Sequence, residues 1–193
     1  MKDRMPCLRR HAISALALAA AALVAGAGAT TLERMTLEKL TRSAQAIVRA
    51  RCLENSPGWD AGEIWTSTSF KVKEVWKGSL PERFSVRLLG GRVGNVTSTV
   101  SGVPRFHAGE EVVLFLEATP RGDLTVVSWQ QGSFRIGRDA YAGVETVTQD
   151  TASFATFDPA TRHFQATGIR NVPLDTFHAQ VDAVLRAGAR RKP

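Results

Sequence analysis

Ile64, Thr66, Thr68, Phe70 and Val72 fall on every second position of the stretch from Ile64 to Trp76, with Trp65, Ser67, Ser69 and Lys71 between them. This period of two is the signature of a strand with one buried face. At Glu74 the phase slips, and Val75 stands where a polar residue is due. A β-bulge, which inserts one residue and re-aims those after it, is expected there to carry Val75 inward. A long strand that bends midway suits a small closed barrel, so this stretch is expected to be the central strand.

The same pattern extends in both directions. Ala46 to Glu54 alternates small apolar residues with Arg49 and Arg51, and Phe84, Val86 and Leu88 alternate with Arg83, Ser85 and Arg87. Both read as strands with one apolar face. Between the first two strands, Asn55-Ser56-Pro57-Gly58 and Asp60-Ala61-Gly62 predict a loop with Trp59 in its middle. Val112 to Leu116 is a continuous apolar run within Glu111 to Glu117, short enough for a strand buried on both sides. Further strands are expected over Leu124 to Trp129, Phe134 to Gly137 and Val144 to Thr148. A hairpin is expected where Asp158-Pro159-Ala160-Thr161 separates Phe157 from Phe164.

Two helices flank this set. Thr36 is a good N-cap for a short helix to about Ser43, with Leu37, Leu40 and Ala44 at helical spacing. Pro173 opens a second, whose Leu174, Phe177, Val181, Val184 and Leu185 form one apolar stripe ending before Gly188. The expected class is mainly β: a closed or partly open barrel with a short N-terminal helix and a C-terminal amphipathic helix. The barrel domain is expected over 30–187, with its core at 46–136, added hairpins at 137–170 and the helix at 173–187. A basic tail follows at 188–193.

Charge changes the picture less than its total suggests. The 193 residues carry a net charge of +7. Lys2, Arg4, Arg9 and Arg10 against Asp3 at one end, and Arg186, Arg190, Arg191 and Lys192 at the other, account for all of it. A neutral body argues against a polyanion-binding face, and no nucleic-acid partner is expected. The basic start precedes an apolar run from Ala12 to Ala25 and then Ala27-Gly28-Ala29, a small-x-small cleavage pattern. Residues 1–29 therefore read as a signal peptide, which implies a secreted or periplasmic chain without stable membrane insertion after cleavage. Beyond the leader Cys52 is the only cysteine; its place in the alternating set Ala46, Val48, Ala50 predicts a small buried thiol.

Candidate chemistry is sparse. Gly90-Gly91-Arg92-Val93-Gly94 lacks both phosphate-loop spacings and has no following helix, so it reads as a bulge or barrel corner, with anion binding at Arg92 the minor alternative. His107, His163 and His178 are far apart and show no metal-ligand spacing. There is no G-x-S-x-G elbow. Glu110 and Glu111 are adjacent, but neighbours on a strand face opposite ways, which disfavours a carboxylate dyad. No catalytic residue, metal or cofactor is expected. The aromatic residues Trp59 and Trp65, with Arg92, are the candidate binding residues.

The order Ala46-Ile47-Val48-Arg49-Ala50-Arg51, then Glu74-Val75-Trp76-Lys77-Gly78, then Ala108-Gly109-Glu110-Glu111-Val112-Val113-Leu114-Phe115 resembles the netrin-like module shared with tissue inhibitors of metalloproteinases. It is also similar to secreted bacterial proteins of unknown function with the same Lys-Gly and Gly-Glu-x-Val-x-x-Phe-Leu features. The resemblance, over about 46–136, implies an OB-type five-stranded barrel with flanking helices. The inhibitors reach a protease metal through an amino-terminal Cys-x-Cys, which this chain lacks, so that wedge does not carry over. The expectation is a non-catalytic binding module for a protein or cell-envelope component. Its alternatives are an inhibitor or regulator of a secreted protease and an enzyme whose site is assembled from distant strands.

Overall fold

The computed structural model describes residues 33–140, 142–149, 156–158, 162–165 and 168–190. The leader, Cys7, residues 159–161 of the expected hairpin turn and residues 191–193 of the basic tail lie outside the described residues. Helix α1 (Leu37–Ser43) is followed by β1 (Ala46–Asp60), β2 (Glu63–Lys77), β3 (Arg83–Leu89), β4 (Gly91–Val93), β5 (Val96–Ser98), β6 (Glu111–Ala118) and β7 (Leu124–Val126). A 3-10 turn (Trp129–Gly132) leads to β8 (Ser133–Arg138), β9 (Glu145–Gln149), β10 (Thr156–Asp158), β11 (His163–Gln165), β12 (Val172–Pro173) and helix α2 (Leu174–Ala189).

Eight strands form one sheet in the order β1-β2-β3-β7-β6-β8-β9-β12, and β1 also pairs with β6, from Ala46 opposite Leu116 to Arg51 opposite Glu111. Strands β1, β2, β3, β7 and β6 thus return on themselves as an OB-like barrel. Closure is partial: β3 and β7 run parallel and meet only where Val86 faces Leu124.

The bend of the β1–β2 ribbon comes from bulges. Lys73 is the extra residue where the register passes from Arg49–Glu74 to Ala50–Val72, one position before the phase slip seen in the sequence. Two more shifts leave out Trp76 and Leu53. Val75 does not go inward as expected; it remains 38% exposed. The next bulge instead presents Trp76 to α2, where it stacks on His178 at 4.2 Å and lies 6.1 Å from Phe177.

The expected loop at 55–62 is also corrected. β1 continues to Asp60, and the turn shrinks to Ala61-Gly62, both left-handed with φ of 49° and 85°. Two successive left-handed residues match the right-handed twist of a tight hairpin. Pro57 is tolerated because β6 pairs only with residues 46–51 of β1, so this half of the strand is an edge. Trp59 consequently sits on a strand.

The two faces of β6 separate two cores. Val112, Leu114 and Leu116 point into the barrel with Val48, Ala50, Cys52, Phe70, Phe84, Val86 and Phe106. Phe70 stacks on Phe84 at 5.4 Å and meets Phe106 edge-on at 5.2 Å. Val113 and Phe115 point the other way, against Ile47, Phe134 and Val147, and are covered by Leu40 of α1 and by Leu174, Phe177 and Val181 of α2. The unbroken apolar run of β6 is thus buried on both sides, as its sequence predicts. Cys52 is free and buried, and burial pushes its thiol pKa up.

Lys77-Gly78 locks α1 to this barrel. Lys77 Nζ donates to the carbonyls of Thr41 (2.7 Å), Arg42 (3.3 Å) and Ala44 at the end of the helix, where carbonyls lack partners within it. Gly78 has φ of +76°, and a Cβ there would lie 2.5 Å from the carbonyl oxygen of Gln45. Both residues are needed for the chain to pass this close to the helix.

Candidate binding surface

The open seam between β3 and β7 defines the site. Beyond Val86–Leu124 the strands share no further backbone pairing, only the Thr125 hydroxyl donating to the Arg87 carbonyl at 3.2 Å, and a groove of about 410 Å³ lies along this seam. Its apolar wall comes from Trp65, Leu88, Leu89, Val103, Pro120 and Trp129, and its rim from Arg87, Arg121 and Asp123. Size and lining suit a small-molecule or side-chain pocket.

Trp65 is placed by the alternation of β2. Its neighbours Ile64 and Phe70 are buried, so Trp65 stands on the outer face, opposite Leu89 of β3. The Arg87 guanidinium lies 4.7 Å above its ring centroid, a cation–π contact that also fixes the arginine. Arg87 donates to Asp60 and lies 3.8 Å from Asp123, while Arg121 pairs with Asp60 at 2.9 Å. The hydrogen bond from Arg87 is the largest of the influences that hold the Asp60 carboxyl below its ordinary pKa.

Trp129 reaches the groove through strained backbone. The sequence predicts a strand to Trp129, but β7 ends at Val126, and Ser128 and Trp129 are left-handed with φ of 49° and 56°. A bulky residue in this region is an outlier that costs roughly 1–3 kcal/mol and persists only where its surroundings enforce it. Gln131, 2% exposed, ties this turn to the N-terminal segment. Its side-chain Nε2 donates to the Glu33 carbonyl (2.9 Å) and to Ser128 Oγ (3.0 Å), and its Oε1 accepts from the Met35 N–H (2.7 Å). Thr119, also in the groove wall, has a buried hydroxyl without a hydrogen-bond partner among the described residues.

Two further depressions share walls with this groove. One of about 540 Å³ includes Trp65, Arg87 and Asp123 again, together with Trp59, which is 56% exposed. The other, of about 340 Å³, shares Leu88 and Leu89 and is lined by Arg92. The structure therefore brings Trp59 and Trp65 together, whereas Arg92 lies across the Leu88–Leu89 end of β3. Gly90 and Gly91, with φ of 94° and 140°, make the expected corner there, and the Thr66 hydroxyl donates to the Gly90 carbonyl at 2.6 Å. Sequence reasoning did not select Arg87, Arg121 or Trp129 as site residues. The first two lie on separate segments, and the left-handed turn behind Trp129 leaves no periodicity to read.

The adjacent glutamates Glu110 and Glu111 are tied into ion pairs. Glu111 accepts hydrogen bonds from Arg49 (2.9 Å), Arg51 (2.9 Å) and Lys73, and Glu110 from Arg135. The two adjacent glutamates thus have separate partners. Partial burial pushes the Glu111 carboxyl up, but the hydrogen bonds from Lys73, Arg51 and Arg49 outweigh it and hold the pKa at about 2. Among the described residues no three His, Cys, Asp or Glu side chains converge as a metal site.

Barrel, seam and grooves define an OB-like β-barrel with an aromatic-lined depression on its β2–β3 side. No protein-family model and no curated protein matches the chain. The motifs behind the netrin-like resemblance have structural roles in this chain. Lys77-Gly78 docks α1, and the Gly109 N–H donates to the Cys52 carbonyl at 2.8 Å. Val112 to Phe115 divides the two cores.

Proposed function

We propose that the protein is an exported, non-catalytic binding module that holds a protein or cell-envelope component in the groove between Trp65 and Trp129. The observation that carries this reading is that two tryptophans line one largely apolar groove beside the open seam, one of them left-handed in a turn whose Ser128 is bonded by a buried glutamine. A bulky residue held left-handed in a groove wall motivates a functional reading of that wall. The rim arginines and aspartates pair with one another, which supports a role in orienting a partner over one in acid–base chemistry. Export rests on the leader-like residues 1–29. A secreted protease falls within this class of partner.

Affinity capture from the extracytoplasmic fraction, run in parallel with wild type, Trp65→Ala and Trp129→Asn, tests the proposal. Asparagine tolerates the left-handed backbone, so the second variant removes the ring without opening the turn. A partner retained by wild type and lost by both variants is expected. A partner retained equally by all three would exclude the groove.

A further inference from the structure

We propose that the cavity at the Gly90-Gly91 corner is a separate binding site for a carboxylate carried on an apolar body. Two arginines, Arg92 and Arg105, line this space of about 340 Å³, and no aspartate or glutamate does. That sets it apart from the two neighbouring depressions, whose arginines face Asp123. In a chain whose body is balanced in charge overall, two guanidiniums on one cavity without a carboxylate leave a local positive field directed at whatever enters.

The guanidiniums are held in place by groups that do not neutralise them. Arg92 Nε donates to the Gly94 carbonyl at 3.1 Å, and Arg105 Nη2 donates to the Ser98 carbonyl at 3.3 Å and to Thr99 Oγ1 at 2.8 Å. Arginine has five N–H donors, so each retains others, and neither has a carboxylate partner among the described residues. Positioned forks with spare donors match a carboxylate's two oxygens. The cavity floor fixes the rest of the ligand: Leu88, Pro104 and Phe106 are buried apolar residues, suited to a hydrocarbon or aromatic body. Asn55 and Thr68 are occupied with each other and with the Phe106 carbonyl, so the floor asks for little hydrogen bonding. A doubly charged, heavily hydrated anion such as phosphate would leave most of its shell unreplaced here.

The test uses amide NMR of the full chain titrated with phenylacetate, phenylacetamide and inorganic phosphate, on wild type, Arg92→Gln, Arg105→Gln and Arg121→Gln. The spectra themselves report that each variant is folded. Saturable shifts from phenylacetate are expected at Thr68, Gly90, Gly91 and Phe106. Arg92→Gln or Arg105→Gln should weaken binding roughly tenfold or more, the effect of losing one charge-assisted hydrogen bond, whereas Arg121→Gln, in the neighbouring groove, should not. Shifts that fail to saturate, equal binding of the amide, saturation by phosphate alone, or sensitivity to Arg121→Gln in place of the other two would each overturn the assignment. None of these outcomes depends on whether Trp65 and Trp129 hold a partner.

Discussion

Glu111 and Arg49 together tie four strands. The Glu111 carboxylate, 16% exposed, receives Arg49 and Arg51 from β1 and Lys73 from β2, and Arg49 reaches on to Glu145 of β9 at 2.7 Å. A carboxyl with an ordinary pKa of 4.5 when unfolded and about 2 when folded adds stability that is complete above pH 4.5 and lost as pH falls toward 2. Glu111→Gln should therefore cost roughly 1.5–3 kcal/mol near neutral pH, and its difference from wild type should shrink across that acid window. Urea denaturation at several pH values reads both effects; a difference independent of pH would show that the carboxylate is not the stabilising group. The pairing was legible in part. Alternation put Arg49 and Arg51 on the same strand face, but the bulge that aims Lys73 at the same carboxylate could be inferred only as a phase slip near Glu74.

Elements followed their sequence where a partner strand agreed with local preference and departed where it did not. The alternating stretches at 46–54, 64–72 and 83–88 are strands; of the helix stripe Leu174, Phe177 and Val181 are buried while Val184 and Leu185 are half-buried, and the helix runs on through Gly188 to Ala189 where an end before Gly188 was expected. Asn55 to Gly58 has the composition of a loop, yet continuous pairing with Trp65 to Thr68 of β2 overrides it and extends the ribbon to Asp60. Strand β7 errs the other way, ending early because the chain must turn at Ser128 to bring Gln131 beneath the N-terminal segment. The docking of α1 gives a sharp check at this scale. Lys77→Met leaves three carbonyls at the helix end without their donor and should cost about 1–3 kcal/mol. Gly78→Ala adds a Cβ against the Gln45 carbonyl in a left-handed conformation and should also cost about 1–3 kcal/mol or more. Thermal unfolding of both variants measures this; unchanged midpoints would mean that α1 is not held through this corner.

At the scale of the molecule, β6 joins the barrel to the helical layer, since its alternate residues belong to different cores. Phe115 lies 5.4 Å from Phe134 and 6.3 Å from Phe177, so Phe115→Ala should cost roughly 3–5 kcal/mol, with sheet and helix signals lost in a single transition. Separate transitions would show that the helices are an independent layer. The barrel was legible because its strands announce themselves one at a time. Of the groove's lining only Trp65 was legible, with Trp59 and Arg92 falling in the two depressions beside it, because the walls come from segments that meet solely through closure of the sheet.

The most direct test of the binding account is the affinity of the purified, captured partner for wild type and for the double variant Trp65→Ala with Trp129→Asn. Loss of affinity by at least about a hundredfold is predicted, as expected when two aromatic anchors are removed, with the double variant still folding cooperatively. Undiminished affinity in the folded double variant, or conversion of the partner to a product by the wild-type protein, would contradict a module that holds its partner in this groove.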